Sequence, residues 1–331
     1  MKLGQKSLAV AALASATALG IAACSPAEES ASTTPSPEAP ESLVLGLVPS
    51  QDIDQLVLDG DVLAELLSAE LGIPVEALVT DSGYSALVIA MQTGQADIGM
   101  FGPIALVQSV DQAGAVPILQ SVRFGSSTYV TQWMTNDPDR FCEDEVVYVD
   151  KDGADYGYCN GTDGTSDGPL GESSIALITQ DEAISFVDES SASGYYYPAT
   201  QLGEAGLDVF ALSGSFFAGG HPNSVLAVYN GDAVVGTSYN DARTSVVEET
   251  PDVGEKVVVF GYSPNIPNDG VSVSSELSEE WQQKIADAFL AIAETEEGAA
   301  ALSAVYNIDG LVPADLDALD AARQVEANFG E

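Results

Sequence analysis

The sequence predicts an α/β fold made of two doubly wound α/β lobes with a hinge between them. Three observations support this prediction. Apolar runs of strand length alternate with stretches of helical periodicity, which is typical of sheets covered by helices. This alternation starts twice, near Leu43 and again near Tyr129. The chain has 331 residues, of which 46% are hydrophobic, enough for one large domain or two medium-sized domains with a real core.

The first lobe is predicted to begin with the strand Leu43–Val48, which ends at Pro49. The following helix, Asp59–Leu71, repeats apolar residues at helical spacing and stops at Gly72. The next predicted elements are the strand Val75–Val79, the helix Ser85–Thr93 and the strand Ala96–Met100. This β-α-β-α-β order predicts a parallel sheet.

The second series of elements begins near Tyr129 and ends with a return to the first lobe. Its members are a strand at 183–187, a helix at about 194–204, a strand around Val209, a helix at 224–230 and a strand at 233–237. Two amphipathic helices, 279–295 and 297–306, follow near the C-terminus. We therefore expect lobe 1 to contain residues 42–125 and 267–331, and lobe 2 to contain residues 126–266. Ligands of such sheets bind beyond the carboxyl ends of the strands, in the crevice between the lobes.

The charge balance excludes two classes of partner. The chain has 51 Asp and Glu residues against 9 Lys and Arg, and a formal net charge of −42. Sequence-independent binding of nucleic acid and a polybasic membrane patch both need clusters of basic residues. The acidic residues are typical of a solvated, self-repelling surface.

The N-terminus has the three-part pattern of an export signal. Lys2 and Lys6 precede an apolar, Ala-rich stretch at 8–20, and Ile-Ala-Ala-Cys at 21–24 resembles a bacterial lipobox. The pattern predicts a signal peptide over residues 1–23, a lipid on Cys24 and a flexible Ser/Thr/Pro-rich tether over 24–41. The predicted location is the extracytoplasmic face of the cell membrane, with contact to the membrane through the lipid anchor only. An ordinary signal peptide followed by an incidental Cys is the alternative.

Export favours a disulfide between the two remaining cysteines, Cys142 and Cys159. They bracket an Asp-, Gly- and Tyr-rich stretch, about 135–174, which we expect to form a surface excursion. Free thiols or a metal pair are the alternatives. The segment 150–155 has Gly at its fourth position, whereas a calcium loop of the EF-hand type needs it at the sixth. No metal site and no cofactor are predicted.

Seven motifs in order carry a resemblance to a known family. They are LGLVPS at 45–50, ADIGMFGP at 96–103, FVDESSASGY at 186–195, AGGH at 218–221, AVYNG at 227–231, YNDAR at 239–243 and SPNIPND at 263–269. Together they resemble the phosphate/phosphite/phosphonate substrate-binding proteins of ABC transporters, the phosphonate-binding family with the type II periplasmic-binding fold. The match extends over Leu43–Val312. It departs from the family at the 135–174 excursion, in its acidity, and at Ala192, where the family often has Thr.

The resemblance implies that the protein captures a small phosphorus oxyanion and delivers it to an ABC permease and its ATPase. Because the chain has no Gly-x-x-x-x-Gly-Lys motif, both partners must be separate chains. A binding protein of the same fold for another small solute is an alternative. A Ser/His/Asp hydrolase and a scaffolding lipoprotein are further alternatives, but no Gly-x-Ser-x-Gly or His-Glu-x-x-His motif occurs. The chain is therefore predicted not to be an enzyme.

The candidate ligand-binding residues follow predicted strands or open predicted helices. Because the sequence has no basic cluster, it predicts that neutral donors hold the anion. The hydroxyls and free N–H groups of the segment Ser190, Ser191, Ala192 and Ser193 stand at the positive end of a helix, although a plain N-cap is the alternative. Further candidates are Ser50 after the first strand, Phe101 and Gly102 after the third, and Tyr84 before a helix, where ordinary turn or packing roles compete.

Three more candidates rest mainly on the resemblance. His221, the one His of the chain, is implied to donate to a ligand oxygen, whereas residue type alone favours a structural role. Asp241 and Asp269 are implied to line the cleft. There each carboxylate would accept a P–OH or pair with a ligand ammonium group.

Overall fold

The computed structural model describes residues 39–329. The predicted signal peptide, the lipidation of Cys24 and most of the predicted tether concern residues outside this range. Within it, no helix combines the length and the apolar composition needed to cross a membrane.

The described residues form two sheets, a short two-stranded ribbon and the helices that cover them. The strands are β1 (Leu43–Leu47), β2 (Val75–Val79), β3 (Ile98–Phe101), β4 (Val116–Val122), β5 (Thr128–Tyr129), β6 (Thr131–Thr135), β7 (Val147–Lys151), β8 (Ala154–Tyr158), β9 (Ile184–Phe186), β10 (Phe216–Phe217), β11 (Val235–Tyr239), β12 (Val258–Tyr262), β13 (Ile266–Pro267), β14 (Gly270–Val273) and β15 (Gly310–Pro313). The α-helices are α1 (Ile53–Leu71), α2 (Tyr84–Gln92), α3 (Pro103–Ala113), α4 (Pro138–Phe141), α5 (Glu172–Ile175), α6 (Tyr197–Glu204), α7 (His221–Asn230), α8 (Val253–Lys256), α9 (Glu279–Ala293), α10 (Glu296–Tyr306) and α11 (Leu316–Ala327).

The first sheet has six strands in the order β15-β4-β14-β3-β1-β2. Strand β1 is parallel to both β2 and β3, as predicted. The sheet as a whole is mixed rather than parallel, because β14 returns from the second sheet and runs antiparallel to β3 and β4. From β1 the chain continues to β2 on one side of β1 and then crosses to β3 on the other side of β1. This creates a topological switch point beside β1.

The second sheet has seven strands in the order β10-β9-β11-β6-β12-β8-β7 and repeats this arrangement. Strand β9 lies between β10 and β11 and is parallel to both. The chain enters the second sheet from the first at β6. This strand lies antiparallel beside β11, just as β14 lies antiparallel beside β3. Each sheet therefore has one strand, β1 or β9, with a switch point beside it, and the α/β prediction of two doubly wound units is confirmed.

The chain crosses between the sheets through the antiparallel ribbon β5–β13, in which Tyr129 pairs with Ile266. The first crossing leads from β4 through β5 to β6, and the second leads from β12 through β13 to β14. A hinge consists of a few residues in loops or at the ends of elements, and these two short crossings supply such residues. The division at residues 125/126 and 266/267 and the hinge movement remain predictions.

Two predicted elements differ clearly from the structure, and one long helix was not predicted. Helix α1 begins at Ile53 rather than Asp59, because the Asp52 side chain caps it by accepting from the Gln55 N–H. The predicted strand around Val209 is wrong: Asp208 caps a short 3₁₀ helix, Val209–Ala211, and the strand lies later, at β10. Helix α11 was not predicted because it is the most polar of the long helices; Asp315 caps it.

The disulfide Cys142–Cys159 is present, but the segment that it closes is more than a surface excursion. Strands β7 and β8 form a hairpin that extends the second sheet, since β8 pairs with β12. Tyr156 in β8 is only 1% exposed. Aromatic residues alternating along β8 supply the buried face that a strand at this position requires.

Replacing both cysteines by alanine is expected to lower the free energy of unfolding by about 3 kcal/mol, because the disulfide closes a loop of moderate length in the unfolded chain. The two cysteines are 17 residues apart and do not line the pocket described below. Urea denaturation measures the loss, and ligand affinity is expected to stay within about threefold. A stability loss below about 0.5 kcal/mol would contradict the constraint assigned to the disulfide.

Candidate functional site

A pocket lies at the carboxyl ends of β1 and β9, the strands beside the two switch points. It encloses about 430 Å³ of space between atoms, part of which is open solvent. Both sheets contribute residues from their switch points, the position where open α/β sheets bind ligands. The lining residues are Val48, Ser50, Gln51, Tyr84, Gly102, Arg123, Tyr129, Ser191, Ala192, Ser193, His221, Tyr239, Asp269 and Tyr306.

Four helices begin at this pocket. Tyr84 and His221 are the first residues of α2 and α7, and Gly102 is the N-cap of α3. Ser191 caps a π-helical turn at 192–196 that continues into α6. The N-terminus of a helix carries free N–H groups and a partial positive charge. Four such ends create an environment that favours an anion in a chain with very few basic residues.

The serine segment is held by its own turn. Ser191 is 3% exposed, and its Oγ accepts from the Gly194 N–H at 3.0 Å. A Cβ on Gly194 would lie 2.3 Å from the Val187 Cβ, so only glycine allows this close approach. Asp188 fixes the start of the turn by accepting from the Ser190 N–H at 2.8 Å. The turn therefore presents Ser191 and Ser193 to the pocket, while Ser190 is buried outside its lining.

His221 is a neutral donor. Its Nδ1 lies 2.8 Å from the Ser238 Oγ and accepts from the Tyr239 N–H at 3.3 Å. We therefore assign the ring hydrogen to Nε2. Burial, with a smaller contribution from the positive charge of Arg123, lowers the pKa of His221 to about 3. The residue that the sequence singled out thus offers an uncharged N–H to the pocket near neutral pH.

The buried neutral state of His221 predicts a pH-dependent stability. An unfolded His takes up a proton below about pH 6.5 whereas the folded one does not, so stability falls as the pH falls towards 3. Between pH 7.5 and pH 5 this contribution amounts to about 2 kcal/mol. Denaturant titration at both values should show the stability difference between wild type and His221→Gln shrinking by that amount. A difference that does not change with pH would contradict the assignment.

Arg123 is the charged lining residue that sequence reasoning missed. It directly follows β4, is 6% exposed, and donates from Nη1 to the Asp269 Oδ2 at 3.2 Å. Its guanidinium lies 5.6 Å from the ring centre of Tyr129 and 5.2 Å from that of Tyr239. Its Nε is buried without a hydrogen-bond partner. The pocket therefore combines neutral donors with one cation, whereas the sequence predicted neutral donors alone.

The Tyr84 hydroxyl is the second unpartnered donor of the pocket. It too is buried without a hydrogen-bond partner. Burial raises the pKa of Tyr84 far above its usual value, with Asp188 contributing in the same direction, so the hydroxyl keeps its proton. An unpartnered buried donor is costly unless a ligand or water accepts from it. Tyr84 and Arg123 therefore favour an acceptor-rich ligand.

Asp241 lies outside the pocket lining. Arg243 donates to it from Nε at 2.9 Å and from Nη2 at 2.7 Å, and the Tyr158 hydroxyl donates at 2.6 Å. Burial would raise the pKa of Asp241, but the Arg243 charge, its hydrogen bonds and Lys151 together hold it well below its usual range. Its acceptor positions are thus occupied by the protein itself.

The structure brings together most of the predicted site residues. Those in the lining are Ser50, Tyr84, Gly102, Ser191, Ala192, Ser193, His221 and Asp269, and those outside it are Phe101, Ser190 and Asp241. Phe101 is 1% exposed and packs in the core below the pocket. The other lining residues are Val48 and Gln51, in the turn that contains the predicted Ser50, and Arg123, Tyr129, Tyr239 and Tyr306, which were not predicted. No group of three or more His, Cys, Asp or Glu side chains placed to hold a metal ion occurs between residues 39 and 329.

Elements of the two sheets contact each other around the pocket. The Gln51 Nε2 donates to the Tyr239 hydroxyl at 3.0 Å, and the His221 N–H donates to the Ser50 carbonyl at 3.1 Å. Asp188 accepts from the Tyr84 N–H at 3.2 Å. Two α/β units that meet around a polar, anion-favouring pocket define a two-lobed solute-binding protein.

The comparison with family models identifies the particular family. Residues 45–319 match the model described as ABC transporter, phosphonate, periplasmic substrate-binding protein. The chain therefore belongs to the phosphonate-binding family of extracytoplasmic binding proteins, and the predicted resemblance is confirmed. The family consists of substrate-binding components of transporters rather than enzymes, which confirms that prediction as well.

Two curated relatives are similar over most of the chain. The phosphate-import protein PhnD of Mycolicibacterium smegmatis is 29% identical over 241 residues, which are 70% of this chain and 65% of that protein. The chain thus spans a little less than two thirds of that relative. The phosphonates-binding periplasmic protein of Escherichia coli is 25% identical over 80% of this chain and 70% of its own length.

Solved structures share the fold. A binding protein component of an ABC phosphonate transporter from Pseudomonas aeruginosa has a TM-score of 0.70 at 20% identity, covering 86% of this chain and 85% of that one. PhnD1 from Prochlorococcus marinus, in complex with methylphosphonate, has a TM-score of 0.69 at 17% identity, covering 88% and 99%. These similarities confirm the type II periplasmic-binding fold.

Proposed function

We propose that this protein captures a phosphorus oxyanion (phosphate, phosphite or a phosphonate) in the pocket between its lobes and delivers it to an ABC importer. The observation that carries the proposal is the convergence of four helix N-termini and Arg123 on one pocket. Phosphorus oxyanions present several acceptor oxygens and negative charge, which match this set of donors.

The relatives support the same class of ligand. One is named for phosphate import and another for binding phosphonates, and one structural neighbour holds methylphosphonate. Asp269 adds a requirement, because a carboxylate in the lining repels a fully deprotonated anion but accepts a hydrogen bond from a P–OH. Arg123 donates to Oδ2 of Asp269, whereas Oδ1 takes no part in the Arg123–Asp269 ion pair.

The remaining parts of the proposal concern the partners, the movement and the anchor. The lobes, residues 42–125 with 267–331 and residues 126–266, open and close about the β5–β13 ribbon. The permease and ATPase are separate chains.

A lipid on Cys24 holds the protein to the outer face of the cell membrane. Retention of a Cys24→Ser variant in the membrane fraction would overturn this anchor.

A thermal-shift panel tests the proposed function. The purified protein is heated alone and with phosphate, phosphite, methylphosphonate, sulfate, amino acids and sugars. A ligand at 100 times its Kd is expected to stabilise the protein by about 2.7 kcal/mol. Stabilisation by one or more of the three phosphorus oxyanions supports the proposal. Stabilisation by an amino acid or sugar, with none by the phosphorus oxyanions, would show a binding protein for another solute.

A further inference from the structure

We propose that the Arg123–Asp269 pair excludes ligands that carry an ammonium group, so that the pocket accepts phosphorus oxyanions without a basic substituent. This inference rests on the proposed function and narrows its ligand class. The inference follows from the ion pairs and hydrogen bonds in which the charged groups in and around the pocket already take part.

Asp269 is the one carboxylate among the described residues that line the pocket. An ammonium group bound there would need this carboxylate as its partner, because an unpaired buried charge is strongly unfavourable. Arg123 already pairs with Asp269 at 3.2 Å, and the two side chains are 7% and 18% exposed. The negative charge of Asp269 is therefore balanced within the protein.

Arg123 is fixed in this position. Its guanidinium lies near the rings of Tyr129 and Tyr239. Tyr129 is held in the β5–β13 ribbon by pairing with Ile266, and the Tyr239 hydroxyl accepts from Gln51. Displacing the guanidinium would break the ion pair and both ring contacts, so a ligand ammonium would instead meet a like charge.

The neighbouring carboxylates offer no replacement partner. Asp188 accepts from the backbone N–H groups of Ser190 and Tyr84. Asp241 accepts from Arg243, Lys151 and Tyr158. Neither belongs to the pocket lining. By contrast, Arg123 Nε and the Tyr84 hydroxyl have no hydrogen-bond partner. The pocket thus offers no unpaired carboxylate to a ligand ammonium group, and it has unpartnered donors for ligand oxygens.

The test compares ethylphosphonate with aminomethylphosphonate, which have the same number of non-hydrogen atoms and differ in CH₃ against NH₃⁺. Isothermal titration calorimetry of the wild-type protein near pH 7 is expected to show at least about 100-fold tighter binding of ethylphosphonate, or about 2.7 kcal/mol. Phosphate, phosphite and methylphosphonate serve as reference ligands.

Variants identify the cause. Arg123→Gln removes the cation and frees Asp269, so the affinity ratio is expected to shift by at least about 100-fold in favour of aminomethylphosphonate. The matched double variant, Arg123→Gln with Asp269→Asn, removes both charges and should lose this shift. Arg123→Lys keeps the positive charge and should still reject aminomethylphosphonate. Circular dichroism and melting curves establish that each variant is folded. The comparison of the two ligands in the wild-type protein tests the inference independently of any variant.

Wild-type affinities within about threefold of each other would overturn the inference while leaving the proposed function intact. Binding of phosphate but of neither member of the pair would also overturn it, because size rather than charge would then exclude the amine. An unchanged ratio in folded Arg123→Gln would do the same. No binding of phosphate, phosphite or methylphosphonate would overturn the proposed function itself, and this inference with it.

Discussion

Replacing Ser191 and Ser193 together by alanine is expected to weaken binding of the preferred phosphorus oxyanion by roughly 100- to 10,000-fold. Each hydroxyl that donates to a charged ligand contributes about 1.5–3 kcal/mol, and each 1.4 kcal/mol is a factor of ten. Both residues line the pocket at the start of the helical segment. Their loss leaves Arg123 and the backbone N–H groups, but it removes both hydroxyls and the cap that Ser191 provides to the Gly194 N–H.

Ser190→Ala is the matched control for this experiment. Ser190 is adjacent in sequence and 6% exposed, but it does not line the pocket. We expect it to keep affinity within about threefold of wild type in the same calorimetric titration. Equal losses in the control and the double variant would mean that the turn, rather than its two pocket-facing hydroxyls, determines binding. Wild-type affinity in the double variant would remove these serines from the site.

Replacing Arg243 by methionine is expected to lower the free energy of unfolding by about 3–5 kcal/mol, because it leaves a buried carboxylate without its main partner. Arg243 is 0% exposed and Asp241 is 6% exposed. Arg243 also donates to the Gly157 and Val257 carbonyls, at 2.9 and 2.7 Å. It therefore ties the β7–β8 hairpin to the rest of the second sheet.

Urea denaturation measures this loss, with Arg243→Met combined with Asp241→Asn as the control. The double variant removes the stranded charge and is expected to be more stable than Arg243→Met alone, by at least about 1 kcal/mol. A double variant that is less stable than the single one would mean that Asp241 is not the group left uncompensated. A loss below about 1 kcal/mol in Arg243→Met would contradict the buried ion pair.

The sequence was informative where a site residue is positioned by its own neighbours. Ser191, Gly102, His221 and Tyr84 all stand where a strand ends or a helix begins, and such positions follow from local periodicity and capping. The π-helical turn at 192–196 was not predicted, but its start was, because Ser191 caps it locally.

The role of Arg123 could not be predicted because its partner is distant in sequence, and Asp241 was placed in the pocket although its main partner, Arg243, is only two residues away. Arg123 and Asp269 are 146 residues apart, and Tyr158 and Asp241 are 83 apart. Their contacts depend on the return of β14 to the first sheet and on the pairing of β8 with β12. Arg123 directly after an apolar strand was the one visible sign, since a rare basic residue at a strand end faces the crevice of an α/β sheet.

The edge strands of the second sheet were missed for a similar reason. The segment between Cys142 and Cys159 is rich in Asp and Gly, a composition that favours a loop. Its alternating Tyr156 and Tyr158 form a strand because Val259 in β12 offers a pairing edge. Long-range pairing therefore overrides the local composition in this segment.

The most direct test of the central claim is a pair of calorimetric titrations of the purified protein near pH 7, one with phosphate, phosphite or methylphosphonate and one with sulfate. Sulfate has no proton to donate to Asp269 at this pH, so a sulfate oxygen and the Oδ1 oxygen of Asp269, which Arg123 does not engage, would face each other as two acceptors. We predict tight binding of at least one phosphorus oxyanion and at least about 100-fold weaker binding of sulfate, or about 2.7 kcal/mol. Comparable affinity for sulfate, or no binding of any phosphorus oxyanion, would contradict the account.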